Sequence, residues 1–470
     1  MGETTMSRSE TFAALPPEWP EPVLDEIRER VAASGRKVVV LDDDPTGTQT
    51  VHDIAVLTAW SPETLAAEMR AGAPGFYILT NSRSLPLAAA CRLNAEIGMG
   101  LVTVSRATGC EFTVISRSDS TLRGHFPGEV EALADALNVE RPRWLIAPFF
   151  EEGGRFTIND VHYVADGDRL TPAGATPYAQ DAAFGYRASN LREWVEEKTA
   201  GDIAAEDVVS LSLDAIRRGG PERVAEILSG VAEGGACVVN AASYRDMEVA
   251  VLGLIEAESR GARFVCRTAA SFVRCRLGLG ARPLLTTDEL DCTGEGGALI
   301  VVGSYVPRTT EQLAHLRHNA TMQAVELNVN RLLMEGAREE EITRAMAMTD
   351  EALGDGENVV LFTSRDLVVR SDGAGSLSVG QAVSSGMAAV VGGITVRPRL
   401  IVAKGGITSS DVATEALGVK RAMVLGQILP GVPVWRLGEE SRFPGLAYVV
   451  FPGNVGEADA LTETLRRAGS

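Results

Sequence analysis

The sequence predicts an α/β protein built as two α/β domains, and three observations predict it. Short β-branched apolar runs such as 37–41 (KVVVL) and 298–302 (ALIVV) have the composition of buried parallel strands. Helical patterns alternate with these runs, the signature of a parallel sheet covered by helices. The alternation breaks once, at 278–297, where glycines and an acidic cluster surround a single short apolar pair. That stretch reads as a linker.

The elements follow in order. Residues 22–33 form an amphipathic helix, with Val23, Leu24, Ile27 and Val31 on one stripe and Gly35 as its stop. The strand 37–41 comes next, then strands at 76–79, 112–115 and 144–146. Helices are predicted between them at 61–71, 85–103 and 128–137. The alternation resumes from Val208, with strands at 237–240 and 263–266. The second set has strands at 298–302, 322–327, 359–363, 400–403 and 448–451, and helices at 310–319, 339–354, 379–391 and 410–417. The expected boundaries are an N-terminal helical extension at 1–35, a first domain at 36–277, a linker at 278–297 and a second domain at 298–470.

Composition excludes several classes of function. With 45% hydrophobic and 23% charged residues, the 470-residue chain is globular rather than disordered. Its 44 basic against 63 acidic side chains give −19, which argues against nucleic acid or an anionic membrane as a partner. No uninterrupted apolar run approaches spanning length, and residues 1–20 lack a signal-like apolar core. The cysteines at 91, 110, 237, 266, 275 and 292 contain no C-x-x-C pair, so reduced thiols and a cytoplasmic location are expected. His315 and His318 stand three apart on a predicted helix without a Cys or carboxylate to complete a ligand set.

In parallel sheets ligands sit beyond the carboxyl ends of strands, so the polar residues after each apolar run are the ones to inspect. After 37–41 come Asp42, Asp43 and Asp44, then Pro45, Thr46 and Gly47. Clustered carboxylates repel and call for a cation, a hydroxyl donor or a proton. Asp42-x-Asp44-x-Thr46 has the haloacid-dehalogenase phosphatase pattern, with Asp42 as nucleophile. Alternatively, the carboxylates grip substrate hydroxyls and one removes a proton; a solvated, capped turn is the plain alternative. After 112–115 comes Ser116-Arg117-Ser118-Asp119-Ser120-Thr121-Leu122-Arg123-Gly124. Arg117 and Arg123 can fork onto a carboxylate, and Asp119 and the hydroxyls can hold a polyol. An internal Asp119–Arg123 ion pair is the structural alternative. After 144–146, Arg155, Asn159, His162 and Tyr163 read either as a polar pocket wall or as a hairpin.

The second domain has three glycine turns at strand ends: Gly303-Ser304, Gly405-Gly406-Ile407-Thr408-Ser409 and Pro452-Gly453-Asn454-Val455-Gly456. Together they suggest a phosphate cradle, although no Walker A motif is present. Thr309 with Gln312 has capping-box spacing, and Asp411 reads as part of a cap with Thr408.

Taken together, these stretches resemble the four-carbon acid sugar kinase family. D-D-x-T-G is matched by 43–47, K-x-D-S-T-L-R-G by 117–124, and G-R-x-T-x-N-G-x-H-Y-V by 154–164. The strand-G-S motif is similar to Gly303-Ser304, G-G-x-T-S to 405–409, and P-G-N-x-G to 452–456. The match runs in order from about 37 to about 460. Arg117 stands where the family commonly has Lys, Asp160 where Gly is usual, and Ile407 where an acidic residue is common. The stretch 48–53 also differs.

The resemblance implies a Rossmann-like sugar-acid-binding domain, a nucleotide-binding domain and an active site in the cleft between them. It implies an ATP-dependent kinase, with Mg²⁺, acting on a hydroxyl of threonate, erythronate or an oxo-tetronate. A haloacid-dehalogenase-type phosphatase and a non-catalytic sugar-acid-binding protein are the alternatives. The expected catalytic residues are Asp44, Asp43 and Asp119. Asp44 is favoured as the base because Pro45 keeps it extended. The expected substrate ligands are Asp43, Arg117, Ser118, Asp119, Arg123, Arg155, Asn159 and His162. Those for the nucleotide are Ser304, Gly405, Gly406, Thr408, Ser409, Gly453 and Asn454. Metal ligands and self-association are left open.

Overall fold

The computed structural model describes residues 5–292, 296–304, 306–334, 336–364 and 373–469, without the side chains of 373–379 and 381. Tyr305, part of the 303–304 turn's context, lies outside the described residues. The chain divides into two compact units, Met1–Val51 with Trp60–Ala281 and His52–Ala59 with Arg282–Ser470.

In the first unit a parallel sheet runs Val209–Leu211, Ala236–Val239, Arg143–Ala147, Phe264–Thr268, Phe112–Arg117, Lys37–Asp42 and Gly75–Leu79. Val38, Val39, Val40, Tyr77 and Ile78 are buried, as strands covered on both faces require. From Lys37–Asp42 the chain passes to the neighbour Gly75–Leu79 on one side, then crosses to Phe112–Arg117 on the other. This is the switch point at which open α/β sheets bind ligands. Helices end where local chemistry stops them. Leu24–Ser34 closes on Gly35 at φ +63°, and Tyr244–Ser259 opens on a Ser243/Asp246 capping box.

Helix Leu87–Thr108 is long and apolar enough by composition to cross a membrane, contrary to the sequence expectation of no such segment. Its Ile97, Leu101 and Val104 are buried, and it packs along Pro62–Arg70 and Gly128–Ala136.

The N-terminal segment is not a separate extension. Met6–Ser7 pairs with Arg169–Leu170, Ile27 and Val31 are buried, and the Pro16 carbonyl accepts from Arg217 Nη1 at 2.6 Å. Met6–Ser7 is the edge of a small antiparallel sheet that continues through Arg169–Pro172 and Val161–Asp166 to Arg155–Ile158. The 154–164 stretch is therefore a hairpin. Its two turn residues, Asn159 and Asp160, have φ of +52° and +66°, the left-handed pair that a two-residue turn demands. Asp160 tolerates this without being Gly because Asn240 Nδ2 and Ser210 Oγ bond its carboxylate at 2.7 and 2.5 Å.

In the second unit the sheet order is Ile54–Leu57, Arg421–Leu429, Val432–Leu437, Ala447–Phe451, Leu400–Lys404, Ala298–Val302, Val359–Thr363 and Gln323–Leu327. The first three pairings are antiparallel and the rest parallel. Two sequence expectations change here. Residues 52–59, assigned to the first domain, belong to the second unit, where Ile54–Leu57 pairs antiparallel with Arg421–Leu429. The linker is partly structured, because Leu285 and Leu290 belong to the second unit's core and Thr287–Leu290 is a helical turn with its own capping box. Residues 293–295 of that linker lie outside the described residues.

Candidate active site

The carboxyl ends of Lys37–Asp42 and Phe112–Arg117 bring six charged side chains together, Asp42, Asp43, Asp44, Arg117, Asp119 and Arg123. Asp42 accepts from Arg117 Nη1 at 3.0 Å and from the Asp44 N–H at 3.3 Å. A Cβ on Gly47 would lie 1.9 Å from Asp42 Oδ2, so this carboxylate sits sealed beneath the turn. Burial, only partly offset by Arg117, raises its pKa to about 7. A side chain so enclosed cannot reach a phosphoryl group, which removes the nucleophile on which the phosphatase alternative depends.

Asp43 accepts from Ser118 Oγ at 2.6 Å through Oδ2. Its Oδ1 lies 3.9 Å from Arg117 Nη1 and, among the described residues, has no hydrogen-bond partner although it is buried. Gly124, at φ +124°, leaves room for this pair, since a Cβ there would come within 2.8 Å of Ser118 Oγ.

Asp44 is engaged differently. It accepts from Arg83 Nη2 and from the backbone and hydroxyl of Thr46. Burial works against its ionisation, but Arg83, Arg117 and the Thr46 bonds outweigh that and hold it below the usual carboxylate range. An anion so stabilised is a weaker proton acceptor, which counts against Asp44 as the expected base. Asp119 follows the same logic. Burial opposes its charge, but Arg123, Arg83 and Thr121 hold it far below the ordinary range. Its Oδ2 takes Arg123 Nε at 2.7 Å, and its Oδ1 lies 3.6 Å from Arg83 Nη1.

The Asp119–Arg123 ion pair is thus present, and Asp181 Oδ2 lies 3.7 Å from Arg123 Nη1 on another side of the guanidinium. Arg123 lies over the Tyr178 ring at 5.1 Å and Arg155 lies over the same ring at 5.7 Å. Arg155 Nε is buried and, among the described residues, unpartnered. Two guanidiniums share one aromatic ring, and Arg155 keeps a donor to spare, which makes a cationic corner with Arg155 as its open side.

Other expectations change. Arg117 is 4% exposed and spends its charge on Asp42 and Asp43, so it neutralises the acidic pair rather than reaching outward. Ser118 is equally inward. His162 is fully buried; its Nδ1 pairs with Thr157 Oγ1 at 2.9 Å and its Nε2 with the Ser120 carbonyl at 2.8 Å. Burial lowers its pKa to about 4, so it is a neutral strut between the hairpin and the 118–123 loop. Asn159 is an exposed turn residue at the hairpin tip.

Two arginines escaped the sequence reading. Arg83, just beyond Gly75–Leu79, bridges Asp44 and Asp119. Arg267, at the end of Phe264–Thr268, donates to the Arg123 carbonyl at 2.8 Å, the Asp119 carbonyl at 3.3 Å and Ser118 Oγ at 3.3 Å, which fixes the loop's shape.

The second unit builds a site of another kind. Its adjacent parallel strands Ala447–Phe451, Leu400–Lys404 and Ala298–Val302 end side by side in the three glycine turns. Gly405 has φ +112° and ψ 143°, and a Cβ there would lie 3.0 Å from Ser304 Cβ. A Cβ on Gly303 would lie 2.3 Å from Thr408 Oγ1, and Thr309 Oγ1 donates to the Gly453 carbonyl at 3.2 Å. The turns are thus held within backbone reach of one another, a cradle that side chains would fill. Gly406 begins the short helix Gly406–Asp411, and Asn454 is exposed on its turn.

Ser409 does not face this cradle. It is fully buried, and its hydroxyl lies 2.7 Å from the carbonyls of Ala403 and Gly405. Nor do the expected caps form. Val306 precedes the helix Pro307–Asn319, and Gln312 Nε2 donates instead to the carbonyls of Val455, Gly456 and Glu457. Asp411 accepts from Ser384 Oγ. Among the described residues no group of three or more His, Cys, Asp or Glu side chains is placed to hold a metal ion.

Comparison with known proteins agrees with this division of labour. Residues 38–276 match the family described as a sugar-binding N-terminal domain, and residues 299–461 the one described as a nucleotide-binding C-terminal domain. The chain is 26% identical over 430 residues to a 3-oxo-tetronate kinase of Methylobacterium radiotolerans, covering 88% of this chain and 92% of the relative. It is 26% identical over 438 residues to a 3-oxo-tetronate kinase of Cupriavidus necator, covering 90% and 92%. A crystal structure of a Salmonella typhimurium LT2 protein shares the fold, with a TM-score of 0.65 at 18% identity over 92% of this chain and 98% of that one.

Proposed function

The chain belongs to the four-carbon acid sugar kinase family and is a kinase, and from that premise we propose that it transfers the γ-phosphoryl group of ATP to a hydroxyl of a four-carbon sugar acid. The observation that carries the substrate class is that the first unit holds both an unsatisfied carboxylate oxygen and an unsatisfied guanidinium nitrogen. Among the described residues Asp43 Oδ1 lacks a donor and Arg155 Nε lacks an acceptor. Buried polar atoms left in this state cost about 1–3 kcal/mol each. A short molecule with hydroxyls at one end and a carboxylate at the other would satisfy both.

In this reading Arg155 and Arg123 hold the carboxylate, with Tyr178 orienting both guanidiniums. Asp43 accepts the proton of the attacking hydroxyl, and Ser118 fixes its carboxylate. Asp44 and Asp119, kept ionised by Arg83 and Arg123, accept hydrogen bonds from the remaining hydroxyls. Arg117 and Arg267 stay internal, one balancing the acidic pair and the other shaping the loop. The turns at 303–304, 405–408 and 453–456 receive the phosphates through backbone N–H groups. Magnesium would enter with the nucleotide, because it keeps most of its waters and needs few protein ligands. Phosphoryl transfer asks the protein chiefly for such positioning and charge balance.

The relatives' names favour 3-oxo-tetronate among the candidates, with threonate and erythronate next. The test is ADP formation from ATP across a panel of four-carbon sugar acids, with sugar alcohols of the same length as controls. ADP formation with the acids and none with the alcohols is expected. Equal rates with both would refute the carboxylate corner, and no ADP with any panel member would refute the substrate class.

A further inference from the structure

Lys404 ends the strand Leu400–Lys404, directly before Gly405, and is fully buried. Its ammonium donates to the Pro452 carbonyl at 2.6 Å and to the Val455 carbonyl at 3.4 Å, and lies 4.0 Å from the centre of the Phe451 ring. It therefore ties one glycine turn of the second unit to the strand that feeds another.

Among the described residues no carboxylate forms an ion pair with it. The flanking strands bring one titratable side chain, Tyr448, whose hydroxyl donates to the Ser409 carbonyl at 2.7 Å. Helix Gly406–Asp411 brings Asp411, which is engaged by Ser384. Helix Pro307–Asn319 brings Arg308, a like charge whose guanidinium faces Glu457 at 3.4 Å. Burial first, and Arg308 second, lower the Lys404 pKa to about 7. A buried cation with carbonyl partners alone is incomplete, because carbonyl dipoles do not replace the solvation it has lost.

We infer that Lys404 is a positioning residue whose charge is completed by the bound nucleotide's phosphates, so that nucleotide binding and protonation of Lys404 are linked. The inference rests on the reading of the three glycine turns as the nucleotide cradle. The bound anion favours the ammonium form, so above pH 7 binding must draw a proton from solvent. Affinity then falls as pH rises, by up to about tenfold per pH unit.

The experiment is calorimetric titration of the full chain with ADP at pH 8, in two buffers of different ionisation enthalpy, together with the ADP Kd from pH 6.5 to 9. ADP itself is fully ionised through the upper part of that range. The parent should take up most of one proton at pH 8 and lose affinity above pH 7. K404R carries a charge that does not titrate there, and should bind with neither uptake nor pH slope. K404Q keeps a donor for the Pro452 carbonyl without charge; it should bind more weakly, with a flat profile. Parent binding with no proton uptake and a flat Kd would overturn the inference while leaving the nucleotide cradle standing. A K404R profile that copies the parent's slope would overturn it too. No ADP binding by the parent at any pH would overturn the cradle and the inference together.

Discussion

The strand ends of the two units are built by opposite means. In the first, strand ends carry long charged side chains in two ion-paired sets, Arg117 with Asp42 and Asp43, and Arg83 and Arg123 with Asp44 and Asp119, joined by the Asp44 N–H bond to Asp42. In the second, the corresponding strand ends carry Gly303, Gly405 and Gly453, with short hydroxyl side chains packed between them. A sugar acid has a distinct group on each carbon, and reading it takes side chains of fixed direction. A polyphosphate presents equivalent oxygens, which backbone N–H groups match at close range. The charged network holds its geometry by mutual ion pairing, so its members are coupled. The glycine cradle holds its geometry by packing and by bonds to backbone carbonyls, so its members are joined by shape rather than by charge. Substitutions in the first unit should therefore change chemistry and acid recognition, and those in the second nucleotide affinity.

The largest expected effect is Asp43→Asn, which keeps the Ser118 contact and removes basicity. Turnover should fall by roughly 10²-fold or more, the usual worth of a positioned base, while ADP binding is unchanged. Near-parental turnover would move the base elsewhere. Asp44→Asn, freed from the same role, should keep more activity than Asp43→Asn; the reverse order would restore Asp44. Next is Arg155→Ala, which removes a charge-assisted fork of about 1.5–3 kcal/mol. KM for the acid should rise by roughly 10- to 100-fold, with ADP affinity intact. A matching loss of ADP affinity would dissolve the contrast between the units.

Smaller again is Gly405→Ala. At φ +112° and ψ 143° the backbone is in a region that essentially glycine alone occupies, at a cost of about 1–3 kcal/mol for other residues. The added methyl would also meet Ser304 Cβ at 3.0 Å. ADP affinity should fall by about tenfold or more, with sugar-acid binding, measured by thermal shift, preserved. A folded Gly405→Ala chain with parental ADP affinity would show that the cradle lies elsewhere.

Much of this was legible in sequence for a physical reason. The strands Lys37–Asp42, Phe112–Arg117, Ala298–Val302 and Leu400–Lys404 are buried on both faces and read as continuous apolar runs. The polar residues after them could be picked out by position alone. The antiparallel strands were missed because Arg421–Leu429 and Ile54–Leu57 are too mixed or too short to announce themselves. Arg83 follows Gly75–Leu79 by the very rule that found Asp42–Asp44, and Arg267 lies within Phe264–Thr268; each is a lone arginine without a motif around it. His162 and Ser409 were assigned outward because polar residues in a motif suggest ligands. Sequence does not reveal that both hydrogen-bond inward.

The smallest effect tests whether the first unit's coupling reaches beyond the strand ends. Glu129, on helix Gly128–Ala136, is buried and accepts from Ser82 Oγ at 2.8 Å, next to Arg83 in the chain. Burial, and secondarily the Asp43 charge, raise its pKa to about 7. The native chain thus holds a proton on Glu129 between about pH 4.5 and 7 that the unfolded chain has released. Its contribution to stability is complete at low pH and is lost as pH rises towards 7, with a limiting slope of about 1.4 kcal/mol per pH unit. Asp42, raised for the same first reason, adds a slope of the same sign. Glu129→Gln should keep the Ser82 contact through its carbonyl oxygen and remove its own share. Urea unfolding at pH 5 and pH 7.5, followed by the fluorescence of Trp144 and Trp194 in the first unit's core, should show the parent losing more stability across that interval than the variant. Equal losses would mean that Glu129 is ionised throughout. The charged network would then end at the strand ends.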